Sequence, residues 1–282
     1  MCWVVELGLA PYAATTELQC ALVEARKAGA IPDVLLLCEH PHVITLGRNG
    51  QREHLRASER LLAQMNVEFH ATNRGGDITY HGPRQIVGYP ILDLTEHRRD
   101  VRWYVERLEE VMIDATADFG LVARRSAAGH GIWIDAAVDL RAAANAEAAA
   151  ARNEEKLAAL GVHLSRWVTS HGFAYNVSTD LRYFDLIVPC GLAGKRATSL
   201  ERALGRAVQN EEVSPRLVEH FGRVFERRME AVSPLELKER IAGRAAWRYV
   251  SQGGAETVDS EHAAMETAGV GAVAGGIKRT AA

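Results

Sequence analysis

Two periodicities in the hydrophobic pattern divide the chain into predicted strands and helices. Short apolar or alternating runs predict β-strands, and these runs cover residues 2–8, 33–40, 42–48, 67–73, 78–81, 85–94, 121–125, 131–134, 157–164, 173–178 and 185–188. Apolar residues that recur about every 3.6 positions predict helices, which cover residues 13–27, 57–65, 100–119, 211–229 and 234–245. The helix at 100–119 has an apolar face, and Gly120 ends it.

The order of these elements predicts the fold class. Strands and helices mix without a regular βαβ repeat, and closely spaced strands dominate the middle of the chain. This order is typical of an α+β fold, with a mixed β-sheet flanked by helices.

Two stretches stand outside the pattern. Residues 136–155 are rich in alanine and low in complexity, which predicts an inserted segment, with a surface helix as one form it can take. Residues 251–282 contain few large apolar side chains, so we expect them to form a disordered tail. The predicted organisation is one catalytic domain over residues 1–250, with the insertion at about 136–155, followed by the tail.

Composition narrows the class of protein. The 282 residues are 48% hydrophobic with a formal net charge of −3, which indicates a globular protein with a buried core and no affinity for nucleic acid. No apolar run reaches about 18 residues, so no membrane span is predicted. The first thirty residues lack a basic segment and include acidic residues, which argues against a signal peptide and favours a cytoplasmic location.

The cysteines differ in their surroundings. Cys2, Cys20, Cys38 and Cys190 form no CxxC pair, which excludes a disulfide framework and the common zinc sites. Cys20 lies in a helical pattern and Cys38 in an apolar strand, so both are predicted core residues. Cys190 follows a proline at the end of an apolar run and is expected to enter a pocket.

No metal or cofactor is predicted. The spacing of the histidines matches no common ligand pattern; these are His40, His42, His54, His70 and His81.

A polar, glycine-rich segment begins at Arg74 and reads RGGDITYHGPRQ. Gly75 and Gly76 permit close approach of the backbone to a ligand, although a plain hairpin turn would also use them. Because side chains alternate along a strand, Thr79 and His81 are expected to share one face. His81 is then placed to hydrogen-bond a ligand's carbonyl or to position a lysine.

A lysine and a cysteine further along the chain suggest nucleophilic chemistry. A cysteine attacks as its thiolate, which a nearby ammonium stabilises, and the candidates are Cys190 and Lys156. They are far apart in sequence, so only the fold can bring them together. Lys195 is closer to Cys190 along the chain and is a rival for the same role. The pair predicts an acyl transfer through a thioester.

Four ordered segments carry a family resemblance: RGGDITYHGPRQ, KLAALGV, SHGFAYNV and PCGL. Between about residues 39 and 200 the chain resembles the lipoyl(octanoyl) transferase family. The resemblance implies the catalytic fold of biotin and lipoate protein ligases. It also implies transfer of an octanoyl group from octanoyl-acyl carrier protein to a lysine of lipoyl domains of 2-oxoacid dehydrogenases or of the glycine cleavage H protein, without a cofactor, nucleic acid or membrane.

The resemblance also implies residue roles. Cys190 and Lys156 match the catalytic pair, whereas Lys195 matches no catalytic lysine. The segments expected to bind substrate are Arg74, Gly75, Gly76, Asp77, Ile78, Thr79, Tyr80, His81, Ala159, Leu160, Gly161, Gly172, Phe173 and Ala174. Small residues there predict a narrow apolar tunnel, in which each buried CH₂ of an acyl chain contributes about 0.8 kcal/mol.

The sequence departs from the family pattern at Arg84, where a glycine is usual, and Tyr175 stands where leucine is more common. Because arginine resists the left-handed backbone that glycine allows, the turn at this position is open to question. Arg84 is an alternative contact for an acidic carrier protein.

Two other functions stay open from the sequence. An ATP-dependent lipoate or biotin protein ligase would share the fold but needs no cysteine nucleophile. A non-catalytic acyl-binding scaffold would need neither Lys156 nor Cys190.

Overall fold

The computed structural model describes residues 1–127, 129–135, 154–188 and 196–241. The strands are β1 Cys2–Leu9, β2 Asp33–Glu39, β3 Val43–Leu46, β4 Glu68–Ala71, β5 Ile78–His81, β6 Gln85–Ile91, β7 Ala123–Ser126, β8 Gly129–Asp135, β9 Glu154–Ser165, β10 Val168–Asn176, β11 Arg196–Ala197 and β12 Met229–Ala231. The α-helices are α1 Tyr12–Lys27, α2 Glu59–Gln64, α3 Val101–Ala117, α4 Leu200–Leu204, α5 Asn210–Val224 and α6 Pro234–Ile241.

Most strands join one mixed sheet. Its order is β12-β1-β2-β6-β10-β9-β8-β7, and β11 pairs with β9. The pairs of β1 with β12 and β2, and of β11 with β9, are parallel, while the others are antiparallel. The predicted α+β class with a mixed sheet is therefore confirmed.

Helices cover both faces of this sheet. In β2, Leu35 and Leu37 face the layer of α3 and α5, whereas Val34 and Leu36 face α1 and α6. This division follows from the alternation of side chains along a strand. Leu108 of α3, like these strand residues, is almost fully buried, and burial of one such side chain contributes roughly 1.5–3 kcal/mol.

A small second sheet supports the glycine-rich segment. Its order is β4-β3-β5, and the loop of residues 72–77 connects β4 to β5. Ile44, Ile78, Tyr80 and Ile187 form its buried cluster. The predicted glycine loop is thus held between two strands of one small sheet.

Two element predictions were wrong. Residues 185–188 were expected to form a strand, but Leu181–Leu186 is a 3₁₀ helix, and Ile187 makes only an isolated bridge with Leu55. The apolar run reflects burial against the small sheet rather than strand pairing. The helix expected over 211–229 ends at Val224, because Glu226 adopts a left-handed backbone and the chain turns into β12. The short helix α4 had no clear sequence signal.

One of the two predictions of a core cysteine is confirmed and the other is wrong. Cys38 is buried as expected, but Cys20 is exposed, so its prediction as a core residue was wrong. Leu18 and Leu22 carry the buried face of α1, and Cys20 stands midway between them on the opposite side.

Much of the predicted insertion and the whole predicted tail lie outside the described residues. Glu154 and Glu155, the last two residues of the 136–155 segment, begin β9. Within the described ranges, no helix has both the length and the apolar composition that crossing a membrane requires.

Candidate active site

A pocket that opens to solvent lies where the glycine-rich loop meets β9 and β10. Its wall brings together predicted residues from three separate segments: Arg74, Gly76, Asp77, Ile78, Thr79, His81, Lys156, Ala159, Leu160, Gly161, Gly172, Phe173 and Ala174. Sequence reasoning assigned no site role to four further wall residues, Tyr12, Val87, Tyr89 and His171. Apolar side chains dominate one part of the wall, while the charged and histidine side chains come from the loop, β5, β9 and β10.

The glycine-rich loop is fixed by backbone hydrogen bonds to the loop after β3. The carbonyls of Arg74, Gly76 and Asp77 accept hydrogen bonds from N–H groups of residues 47–49, at 2.9 to 3.2 Å. The N–H of Gly75 donates to the Val162 carbonyl at 2.9 Å. The Gly76 and Asp77 N–H groups donate to no acceptor among the described residues, so they are the loop's candidates for binding an oxyanion.

The Arg74 side chain anchors this loop to β3. Its Nη2 donates to the Thr45 carbonyl at 2.7 Å and to Thr45 Oγ1 at 2.9 Å, while Nη1 donates to the Gly75 carbonyl at 3.0 Å. Both Arg74 and Thr45 are buried. The guanidinium therefore ties the loop to β3 and places a positive charge beside the pocket.

The two faces of β5 have different roles. Thr79 and His81 reach the pocket wall, as the alternation predicted. Tyr80 points to the other face, where its hydroxyl lies 2.7 Å from His42 Nδ1 and its ring stacks on Tyr183 at 5.1 Å. Tyr80, a predicted binding residue, is thus placed in the core of the small sheet. Gly75 also lies off the wall, where it bonds Val162.

The histidines of the site are neutral. Burial, helped by the nearby His40 and the Arg74 charge, lowers the pKa of His81 to about 3. Burial likewise lowers the pKa of His171 to about 4, with the Arg74 charge as the next cause. Neither imidazole is positively charged at pH 7, so both can act in the site as neutral hydrogen-bonding groups.

Lys156 supplies the ammonium on the pocket wall. It lies on β9 between Trp133 of β8 and Ala197 of β11. Its Nζ is 4.8 Å from the centroid of the Trp133 ring, within the range of a cation–π contact. Lys156 and the glycine-rich loop therefore line one pocket. The catalytic role of Lys156 stays a prediction.

Cys190 lies outside the described residues, and so does Lys195, the rival candidate for the role of Lys156. The described residues on either side of them are anchored close to the site. The Val188 N–H donates to the His54 carbonyl at 2.7 Å, and Arg196 pairs with Glu155, next to Lys156. The proximity of Cys190 to Lys156 stays a prediction.

Close contact between glycines shapes the inner wall. Gly161 of β9 stands opposite Gly172 of β10. A Cβ on Gly161 would lie 2.7 Å from the Gly75 carbonyl oxygen, so a larger residue would displace the loop. This explains why the segment needs glycine at that position.

Arg84 adopts the left-handed backbone that an arginine was expected to resist, with φ of +63°. Its carbonyl accepts hydrogen bonds from Val177 N–H, Ser178 N–H and Thr179 Oγ1, which hold the turn in place. The side chain is exposed, and its Nη2 donates to Gln209 Oε1 at 2.9 Å. The turn expected of a glycine is therefore kept with arginine.

Comparison with known proteins supports the interpretation of this pocket. The model of the lipoyl protein ligase A/B catalytic domain matches residues 11–222. An octanoyltransferase from Solibacter usitatus is 50% identical over 80% of this chain and 93% of its own length. An octanoyltransferase from Acidobacterium capsulatum is 47% identical over 79% of this chain and 89% of its own length.

Solved structures support the fold. The bipartite lipoate protein ligase of Thermoplasma acidophilum superposes with a TM-score of 0.62 at 13% identity, covering 85% of this chain and 89% of its own. A lipoate-protein ligase A bound with ATP gives a TM-score of 0.60 at 14% identity, covering 85% of this chain and 93% of its own. At such identities the likeness concerns the fold alone.

Lys156 and the glycine-rich loop thus meet at the wall of a partly apolar pocket, on a fold like that of the lipoate protein ligases. With the match over most of its length, the chain belongs to the lipoyl protein ligase A/B catalytic domain family. The predicted family and the acyltransferase class are confirmed by relatives that are octanoyltransferases.

Proposed function

We propose that this protein transfers an octanoyl group from octanoyl-acyl carrier protein to a lysine of a lipoyl domain, through a thioester on Cys190. The observation that carries the proposal is the pocket in which Lys156 and the glycine-rich loop meet an apolar wall. Octanoyl transfer is the activity named for relatives of up to 50% identity. The carrier protein and the thioester come from the sequence resemblance, and the cytoplasmic location from the pattern of charged and apolar residues along the sequence.

The pocket supports binding of the acyl chain. Val87, Leu160, Phe173 and Ala174 supply apolar wall surface, and each CH₂ buried there contributes about 0.8 kcal/mol. Gly76 and Asp77 belong to the same wall, and their N–H groups, which donate to no acceptor in the described part of the chain, are available to a carbonyl oxygen of the substrate.

In the first half-reaction the Cys190 thiolate attacks the carbonyl carbon of the carrier thioester. The carbon–sulfur bond to the carrier breaks, and the departing thiolate takes a proton from the Lys156 ammonium. The oxyanion that forms between these events is stabilised by backbone N–H groups of the glycine-rich loop. The products are the octanoyl thioester of Cys190 and the free carrier thiol.

In the second half-reaction the amine of the acceptor lysine attacks the same carbonyl carbon. Lys156, now neutral, takes one proton from the attacking nitrogen, and the bond to the Cys190 sulfur breaks. The products are an octanoyl amide on the acceptor and the thiolate beside an ammonium, so the enzyme returns to its starting state.

An ATP-dependent ligase is less well supported. Lipoate ligases resemble this chain at 13–14% identity, which shows only the fold. Relatives that cover most of the chain at 44–50% identity are octanoyltransferases.

Transfer without nucleotide tests the proposal. The full chain is incubated with octanoyl-acyl carrier protein and a lipoyl domain, with and without ATP, and the octanoylated lysine is followed by mass spectrometry. We expect equal rates in both and parallel double-reciprocal lines when both substrates are varied, because carrier leaves before acceptor binds. A requirement for ATP would support the ligase, and intersecting lines would mean direct transfer in a ternary complex.

A further inference from the structure

A relay of buried hydrogen bonds leads from the backbone of Lys156 to His81. The Thr198 N–H donates to the Lys156 carbonyl at 2.9 Å, and the Thr198 carbonyl accepts from Asn176 Nδ2 at 2.9 Å. Asn176 Oδ1 accepts from Gln85 Nε2 at 2.8 Å, and Gln85 Oε1 lies 2.8 Å from His81 Nδ1. The side chains of Gln85 and Asn176 are 1% and 4% exposed, so water does not compete for these bonds.

This relay of hydrogen bonds determines which ring nitrogen of His81 carries the hydrogen. A backbone carbonyl can only accept, so the Asn176 atom that faces Thr198 must be its NH₂ group. Asn176 then presents its oxygen to Gln85, whose NH₂ group also donates to the Tyr80 carbonyl at 3.3 Å. Gln85 therefore presents its oxygen to His81, and Nδ1 of His81 must be the protonated nitrogen.

The second ring nitrogen of His81, Nε2, consequently carries a lone pair that can accept a hydrogen bond. His81 lies on the wall together with Lys156. Its Nε2 makes no hydrogen bond within the described part of the chain, where the ring bonds only Gln85. The imidazole is neutral, because burial lowers the pKa of His81 to about 3.

The two half-reactions make different demands on such an acceptor. In the first, the attacking thiolate carries no proton, and Nε2 has nothing to receive from it. In the second, the attacking nitrogen is a neutral primary amine, which has one bond to carbon and two N–H bonds. Lys156 removes one of them, and the other stays on the amide product and needs an acceptor during the attack.

We propose that Gln85 and Asn176 are positioning residues, which hold His81 as the Nδ1–H tautomer so that Nε2 accepts a hydrogen bond from the attacking amine. This inference rests on the proposed function. It gives the relay a role in the second half-reaction, the transfer from Cys190 to the acceptor lysine. The contact orients the nitrogen lone pair toward the thioester carbonyl. Because the relay begins at the Lys156 backbone, it also ties the strand that carries Lys156 to His81.

Single-turnover kinetics separate the two half-reactions. Formation of the octanoyl-enzyme from octanoyl-acyl carrier protein is followed first, and its decay on mixing with a lipoyl domain is followed second. For Gln85→Leu we expect acylation within about twofold of wild type and decay slowed about tenfold or more. Gln64→Leu on the exposed surface of α2 is the matched control and should change neither step.

Gln85→Glu is the conservative variant and tests the acceptor role through pH. A carboxylate can no longer donate to Asn176 Oδ1, but it still accepts from Nδ1–H, so the tautomer of His81 is kept. Its charge raises the pKa of His81. The imidazolium has no lone pair, so we expect decay close to wild type at high pH and a fall at low pH that wild type lacks. Acylation should show no such added pH dependence.

The tautomer itself is read by ¹⁵N nuclear magnetic resonance of histidine-labelled protein, with His81→Gln to assign the signal. We expect a protonated Nδ1 and a bare Nε2 in wild type, and loss of that fixed pattern in Gln85→Leu. Thermal unfolding checks that this variant is folded, and if it is not, Gln85→Glu carries the test alone.

A proton on Nε2 in folded wild type would overturn the inference, as would equal slowing of acylation and decay in Gln85→Leu. A Gln85→Glu decay profile that matches wild type at every pH would also overturn it. If wild type forms no octanoyl-enzyme, the proposed function fails instead, and the tautomer measurement stays readable.

Discussion

The ammonium of Lys156 lies over the ring of Trp133, with Nζ 4.8 Å from the ring centroid. The two residues are cross-strand neighbours on β9 and β8, and Trp133 is almost fully buried. The ring face therefore contacts the ammonium of a residue on the pocket wall. In the proposed reaction, this contact helps to hold Lys156 for its role beside the Cys190 thiol.

Removing the ring should slow acylation of Cys190. We expect Trp133→Leu to lose about 0.5 to 2 kcal/mol of cation–π interaction, or roughly 2- to 30-fold in the acylation rate. Trp133→Phe is the matched control, because it keeps a ring face and, like leucine, lacks the N–H that donates to the Gly129 carbonyl. Equal acylation rates in the two variants would contradict the role given to the ring.

Arg74 should not be replaceable by lysine. A lysine at this position cannot reproduce the fork of bonds to Thr45 and Gly75, and losing one hydrogen bond to a charged group costs about 1.5–3 kcal/mol. We expect Arg74→Lys to lower kcat/KM for octanoyl-acyl carrier protein at least tenfold. Thr45→Val, which removes only the hydroxyl acceptor, should have a smaller effect, and the reverse order would show that Arg74 does not anchor the loop.

Gly161→Ala tests the packing of the glycine-rich loop on β9. The added Cβ would lie 2.7 Å from the Gly75 carbonyl oxygen, which forces the loop to move. We expect at least a tenfold weaker affinity for an octanoyl ligand, measured by titration calorimetry. Gly75→Ala is the milder comparison, because its Cβ would meet the Val162 carbonyl at 3.3 Å. A tighter-binding Gly161→Ala would show that the wall is not closed at this point.

Local sequence patterns predicted the parts of the site that depend on local geometry. The paired glycines predicted a loop that approaches other backbone closely, and the alternation along residues 78–81 predicted that Thr79 and His81 share a face. The same alternation places Tyr80 on the opposite face, although the family resemblance had grouped it with the binding residues. The structure agrees with the alternation.

The parts that sequence could not give depend on long-range packing. Tyr12, Val87 and Tyr89 lie in ordinary helix and strand patterns, and they reach the pocket only because β6 lies beside β10 with α1 packed over both. Arg84 is a different case, since its left-handed backbone is held by three donors to its carbonyl. No local propensity could show those partners.

Stability should fall in acid through Asp33, which is 1% exposed. Burial alone would raise the pKa of this carboxyl, but hydrogen bonds from His97, Arg227, the Asp93 N–H and Arg26 outweigh it and hold the pKa far below its usual range. The charged form therefore stabilises the fold fully above the unfolded-state pKa of about 3.9 and progressively less as pH falls below it.

Asp33→Asn should lower the free energy of unfolding by about 3 kcal/mol at pH 7, because it leaves two arginines without their buried partner. The difference from wild type should shrink as pH falls below about 4. Asp135→Asn, which breaks an exposed pair with Arg124, should cost under about 1 kcal/mol. Urea unfolding at several pH values measures all three proteins, and a difference that stays constant down to pH 2 would contradict the assignment.

The thioester on Cys190 is the central claim, and intact mass spectrometry tests it most directly. Full-length protein is incubated with octanoyl-acyl carrier protein in the absence of acceptor and then weighed. We expect one octanoyl adduct in wild type and in Cys20→Ser, whose thiol is exposed on α1, and none in Cys190→Ser. An adduct that persists in Cys190→Ser, or wild type that gains none, would contradict the account.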